Sequence, residues 1–60
     1  MYERRIDDYV FKGYDDGNVT VYRHGAFVTS FFLMGVDSQK RFDEEITYWY
    51  FDNRESLALS

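Results

Sequence analysis

Strand-forming residues cluster first in two short runs, Tyr9-Val10-Phe11-Lys12 and Val19-Thr20-Val21-Tyr22, which flank Tyr14-Asp15-Asp16-Gly17-Asn18. Strand formers on both sides of an Asp-Gly step predict a β-hairpin, because these residues tolerate the positive φ that a tight reversal demands. Gly13, inside the first run, marks a bulge or a close approach of two backbones. His24-Gly25 then breaks the second strand.

The run Ala26–Met34 admits two readings. Its Val, Thr and Phe content favours a strand. Its length, with Gly35 where a residue just past a helix end would lie, favours a helix. Phe27, Phe31 and Met34 recur at helical spacing, and Val28 and Phe32 form a second stripe about 100° round. The run is read as a helix apolar on more than one side, which a small sheet alone does not cover. Asp37–Glu45 is a polar loop with room for one helical turn at Ser38–Phe42. Glu45–Asp52 is read as the last strand, with Ile46, Tyr48 and Tyr50 on one face and Thr47, Trp49 and Phe51 on the other. Asn53 onward is a tail in which Leu57 and Leu59 are the residues able to dock. The expectation is one domain over residues 1–60, with an ordered core at about 6–53 and a tail at 54–60. It is a small α+β fold: a three-stranded antiparallel sheet and one helix in the order β-β-α-β, homodimeric.

Composition sharpens the need for a partner. The chain has 60 residues with six Tyr, six Phe and one Trp, and no Cys or Pro. A domain of this size buries only about 60% of the surface its unfolded chain exposes, and small domains commonly add disulfides, a metal or self-association. Without Cys and with one His, association is the remaining route. Seven basic residues face eleven acidic ones, a net charge of −4. That balance disfavours nucleic-acid binding, which needs a basic face. It permits a surface that offers carboxylates where a DNA-binding protein expects phosphates, although mild acidity also simply keeps a small domain soluble. No signal-peptide pattern opens the chain, and the uncharged run Gly25–Val36 is too short and polar to span a bilayer. A cytoplasmic location without membrane contact is expected, and the Asn18-Val19-Thr20 glycosylation pattern carries no weight there.

Little catalytic chemistry is legible. His24 stands at a strand end before a glycine, where a hydrogen bond or a turn is its simplest role. The carboxylates come as Asp7-Asp8, Asp15-Asp16 and Asp43-Glu44-Glu45. Adjacent acids on strands or turns point apart, so solvated faces are their default. Asp15-Asp16-Gly17-Asn18 has the wrong spacing for a calcium loop, and Gly13, Gly17, Gly25 and Gly35 are scattered rather than gathered in a phosphate loop. A non-enzyme without cofactor or metal is expected, acting through a surface of apolar rings rimmed by acids.

Taken in sequence order, Asp15-Asp16-Gly17 at the hairpin turn, the Tyr22 and His24-Gly25 strand end, a helix-like segment that contains Phe31 and ends at Gly35, and Asp43-Glu44 just before an Ile-led final strand form a pattern, strand-strand-helix-strand. Over about residues 9–52 it resembles the small uracil-DNA glycosylase inhibitors of short-tailed Bacillus phages, which are acidic homodimeric DNA mimics. The resemblance implies a helix phenylalanine that enters the apolar pocket around the enzyme's DNA-intercalating loop, with carboxylates facing the loops that hold phosphates. The matching ring is Phe31, or Phe32 if the gap falls one residue away. The family's acid after that phenylalanine and its aromatic one turn later meet Phe32 and Gly35 here, and its second-strand acid meets Val21 or Tyr22. Asp37, Asp43 and Glu44 are nominated by charge to take the acidic role. The expected partners are thus the bacterial host's uracil-DNA glycosylase and a second copy, the latter through Phe27, Val28, Met34 and Trp49. The alternative is a small dimeric interaction module, or an inhibitor of another host DNA-binding protein.

Overall fold

The computed structural model describes residues 1–60. Four strands, β1 (Tyr2–Ile6), β2 (Tyr9–Gly13), β3 (Asn18–Arg23) and β4 (Ala26–Phe32), precede two helices, α1 (Gln39–Asp52) and α2 (Arg54–Ala58). The strands form one antiparallel meander in the order β1-β2-β3-β4. The chain is therefore a small α+β protein, but its sheet has four strands rather than three and its main helix follows the sheet instead of interrupting it. No helix is long and apolar enough to cross a membrane.

The β2–β3 hairpin matches expectation. Phe11 pairs with Val21 and Gly13 with Val19. The turn is held by Tyr14 N–H donating to Asn18 O at 2.9 Å and Gly17 N–H donating to Tyr14 O at 3.0 Å. Gly17 takes φ +93°. The Asp16 carboxylate accepts from Asn18 N–H at 3.0 Å and from Asn18 Nδ2 at 2.8 Å, an Asx-type closure of the loop. Gly13 is a close approach and not a bulge: a Cβ there would strike the Phe42 ring.

Three segments differ from the sequence reading. Tyr2–Ile6 is a strand the reading missed, because Arg4 occupies an inward position between Tyr2 and Ile6. Its Nη1 reaches Asp43 at 3.7 Å, so an apparently polar segment has a core face. Ala26–Phe32 is a strand, not a helix. His24-Gly25 supplies a two-residue turn with φ +52° and +79°, the positive pair of a type I′ hairpin. One register shift, opposite Val21/Tyr22, leaves Val28 as an extra residue. That bulge resets the alternation and turns Thr29 and Phe31 inward, leaving Phe27 and Phe32 outward, so the period of two is hidden. The third difference is Glu45–Asp52, the expected last strand, which is the C-terminal part of α1. Phe42, Ile46 and Tyr50 recur every four residues and are all buried. The Ser38 side chain caps the helix by accepting from Arg41 N–H at 3.1 Å. Strand-forming residues are overridden here by burial of one helical stripe, whose first member lies in the segment read as a loop.

The core joins Tyr9, Phe11, Val19 and Val21 from the sheet to Phe42, Ile46 and Tyr50 from α1. Leu57 of α2 closes it, so the expected tail is structured, while Leu59 is 89% exposed. Helices cover one face of the sheet only. The other face carries Glu3, Arg5, Val10, Lys12, Thr20, Tyr22, Phe27, Ser30 and Phe32.

Candidate protein-binding surface

Neighbouring rings on β4 have opposite fates. Phe31 turns inward and stacks on Trp49, with centroids 4.0 Å apart and planes within 6°. Trp49 also meets Phe11 edge-on at 6.0 Å. Both rings are half-buried and packed on each other at the core margin, whereas the sequence reading placed Phe31 at a target and Trp49 at a dimer interface. Val28 is half-buried against the same cluster. Phe32 turns outward and is 57% exposed, Phe27 is 61% exposed and Met34 is 84% exposed.

Phe32 is held in place from below. A Cβ on Gly17 would meet the Phe32 ring and the Leu33 carbonyl, the latter at 2.7 Å, so ring and backbone pack directly on the turn. Leu33 N–H donates to Gly17 O at 2.9 Å and fastens the segment after β4 to the hairpin. Between them opens a cleft of about 480 Å³ with Phe42, Val19 and Tyr2 among its apolar walls and Asp15 and Asp16 at its rim. Asp16 is held below its ordinary pKa by the Asn18 backbone and side-chain hydrogen bonds, and stays ionised. Asp15 faces solvent, 3.8 Å from the amino-terminal nitrogen.

The three carboxylates nominated from charge do not converge. Asp37 is exposed and forms no ion pair or hydrogen bond. Asp43 accepts from Gln39 Nε2 at 2.7 Å and pairs with Arg4, so it serves the packing of α1 on β1. Glu44 is exposed on α1, beside a second, shallower depression with Arg4, Asp43, Thr47 and Tyr48. The acids that do stand by Phe32 are Asp15 and Asp16. Their adjacency to a turn was visible in the sequence, but their proximity to the end of β4 follows from the hairpin register.

A second polar cluster lies at the opposite end of the sheet. Asp8 Oδ2 accepts from Arg23 Nε at 3.0 Å and lies 3.2 Å from His24 Nε2. The Arg23 hydrogen bond holds the Asp8 carboxyl below its ordinary pKa, and the Asp8 bond raises that of Arg23. Tyr50 donates its hydroxyl to Asp7 Oδ2 at 2.7 Å, and this bond, with burial, raises the phenol's pKa. His24 and Asp7 both adopt positive φ in their turns. These groups pin two turns to each other and to α1.

Two kinds of surface are thus present: a polar end whose groups satisfy one another, and an apolar end whose exposed ring stands beside exposed carboxylates. Compared with known proteins, the chain matches no family model, no curated sequence and no solved structure.

Proposed function

We propose that this chain is a binding protein that occupies the DNA site of a DNA-processing protein, with Phe32 as the inserted ring and Asp15 and Asp16 as the accompanying acids. The observation that carries this reading is Phe32 itself: a large exposed ring held by backbone contact at Gly17 beside carboxylates. An anchored ring loses little conformational freedom when it fills a partner's pocket. A base-flipping enzyme offers an apolar site near the extruded base and donors for phosphate oxygens. A ring and carboxylates held together compete for both, without the cost of unstacking a base.

The sequence resemblance nominates uracil-DNA glycosylase of a bacterial host as the target. Excision of uracil by the purified enzyme is expected to fall towards zero at equimolar protein. An unchanged rate at severalfold excess excludes this target. Phe32→Ala is expected to abolish inhibition while the fold persists, and unaltered potency would remove Phe32 from the contact.

One observation favours the broader reading, a module directed at a different DNA-binding protein. The strand-strand-helix-strand order implied by the resemblance is not the order of this chain, and its matching ring, Phe31, is stacked in the protein. Capture from bacterial lysate separates the two: glycosylase as the main prey supports the first, and another DNA-binding protein displaced by Phe32→Ala supports the second.

A further inference from the structure

The two edges of the sheet are finished differently. β1 carries Glu3, Arg4 and Arg5. Gln39 Nε2 donates to the Glu3 carbonyl at 3.0 Å, and Arg4 is tied to Asp43 on α1. Charges and side-chain caps of this kind obstruct strand addition. β4, Ala-Phe-Val-Thr-Ser-Phe-Phe, has neither charge nor proline. None of the turn, cap or side-chain hydrogen bonds reaches it.

Which of its backbone groups are open follows from two bonds at the end of the hairpin. Leu33 N–H donates to Gly17 O at 2.9 Å and so faces β3, while Asn18 O accepts from Tyr14 N–H at 2.9 Å and so faces β2, away from β4. Antiparallel ladders alternate between bonded and non-bonded pairs. Asn18 lies opposite Phe32, Val19 opposite Phe31, Thr20 opposite Ser30 and Val21 opposite Thr29. The pairs through Phe31 and Thr29 therefore hold β4 to β3, and the N–H and C=O groups of Ser30 and Phe32 point out of the sheet. On the uncovered face, the small Ser30 side chain lies between the exposed rings of Phe27 and Phe32, leaving a notch for one side chain.

We infer that β4 is a docking edge for an extended, basic segment of a partner protein. The segment adds as a further strand on Ser30 and Phe32, seats one apolar side chain over Ser30 and brings a Lys or Arg to the Asp15–Gly17 turn. In strand addition main-chain bonds supply affinity and alternate side chains supply selectivity. Charge picks the occupant. Gly25–Val36 holds no charge, so the edge itself repels no strand, while the chain as a whole carries −4. Asp15 and Asp16 line the same cleft as Phe32 and Leu33, and no Lys or Arg side chain pairs with either. A residue three places along the incoming strand from the one over Ser30 comes level with Leu33, whose bond to Gly17 puts it at that turn. A cation there meets carboxylates that no side chain neutralises, and an acidic segment is repelled. At the other end of β4, Arg23 and His24 are already matched by Asp8, so that end selects for no charge. The inference rests on the reading of the chain as a binding protein, but not on the identity of the target.

The probe is the synthetic peptide acetyl-Lys-Thr-Val-Leu-Val-Thr-Lys-amide, whose symmetric order puts a Lys at the turn in either strand direction. Titrated into the isotope-labelled chain, it is expected to slow amide exchange most at Ser30 and Phe32, whose N–H groups are open, and less at Thr29 and Phe31. Methyl groups on one alternate set of its backbone nitrogens are expected to abolish binding, and on the other set to be tolerated, since only alternate groups of a strand face its neighbour. Replacing both Lys by Glu is expected to weaken binding about tenfold at low salt and by less at high salt. Ser30→Pro removes an open N–H from an edge strand, a position where proline is tolerated, and is expected to abolish binding. The methylated peptides read the same bonds without touching the protein. No binding at millimolar peptide overturns the inference, as does exchange slowed more at Thr29 and Phe31, indifference to methylation, or a Glu peptide that binds as well. Protection of Ser30 and Phe32 that rises with protein concentration in the absence of peptide makes a second copy the occupant and overturns it too. Because the peptide titration needs no enzyme, its failure leaves the glycosylase assay to be judged separately.

Discussion

The two ends of the sheet each carry a pair of adjacent aspartates at a turn, and they use them in opposite ways. At one end, Asp7 accepts from Tyr50 and Asp8 accepts from Arg23 and lies 3.2 Å from His24 Nε2, so each carboxylate ties a turn to another element. At the other, Asp16 closes its own turn and Asp15 faces solvent beside Phe32 and an open cleft. The same dipeptide is structural in one place and available in the other. What decides is the neighbour: the first pair is opposite a basic strand end and a helix C-terminus, the second opposite an uncharged strand end.

Breaking this contrast starts with the ring beneath the open end. Phe42 is fully buried, stacks on Tyr2 at 5.4 Å and fills the space left by Gly13. Phe42→Ala is expected to cost about 3–5 kcal/mol, enough to unfold much of a domain this small, as a chemical denaturation series will read. Phe31→Ala comes next. It removes the Trp49 stack, for which about 0.5–1.5 kcal/mol beyond area burial is typical, and its signature is a shift in tryptophan fluorescence together with a lowered denaturation midpoint.

At the pinned end the effects are smaller and depend on pH. Tyr50→Phe removes the hydroxyl bond to Asp7 and is expected to cost about 1 kcal/mol at neutral pH. Because the folded state raises the Tyr50 pKa above its ordinary 10.0, its contribution is present below that pH and lost as pH rises through the folded value. Asp8 behaves oppositely. Its pKa is lowered from 3.8, so its contribution is present above that pH and lost as pH falls through the folded value. Thermal melts of wild type, Tyr50→Phe and Asp8→Asn at acid, neutral and alkaline pH check both signs. The Tyr50→Phe deficit should vanish at high pH and the Asp8→Asn deficit at low pH. The smallest effect on stability is expected at Phe32, where Phe32→Ala should change it by no more than about 0.5 kcal/mol while removing target binding. A large stability loss there would make Phe32 a packing residue and erase the contrast between the ends.

The turns were the most legible part of the chain. Asp16-Gly17 declares a reversal because Gly17 takes positive φ, a constraint that acts within two or three residues, whereas His24-Gly25 was legible only as a strand break and the Asp7-Asp8 turn was not read at all. The rings of β4 were not legible in the same way. Phe27, Phe31 and Met34 fall at helical spacing, but the bulge at Val28 puts Phe27 and Phe31 on opposite faces of the strand, and Met34 lies beyond its end. Glu45–Asp52 misled in the reverse sense: Ile, Thr, Tyr, Trp and Phe favour a strand locally, yet Ile46 and Tyr50 continue a stripe begun at Phe42. Of the candidate surface, Phe32, Phe27 and Met34 were named in advance and are exposed, while Phe31, Trp49 and Asp43 proved to be engaged within the protein.

By itself the sequence determined a single aromatic-rich, acidic α+β chain with a hairpin at Asp16-Gly17, since composition and turn chemistry are local properties. Tertiary structure alone decided which of two apolar runs became strand and which became helix, and therefore which rings were left outside. That choice rests on long-range burial: α1 gains by laying Phe42, Ile46 and Tyr50 across the sheet, and β4 gains by completing a ladder with β3. Neither benefit exists until the other elements are in place.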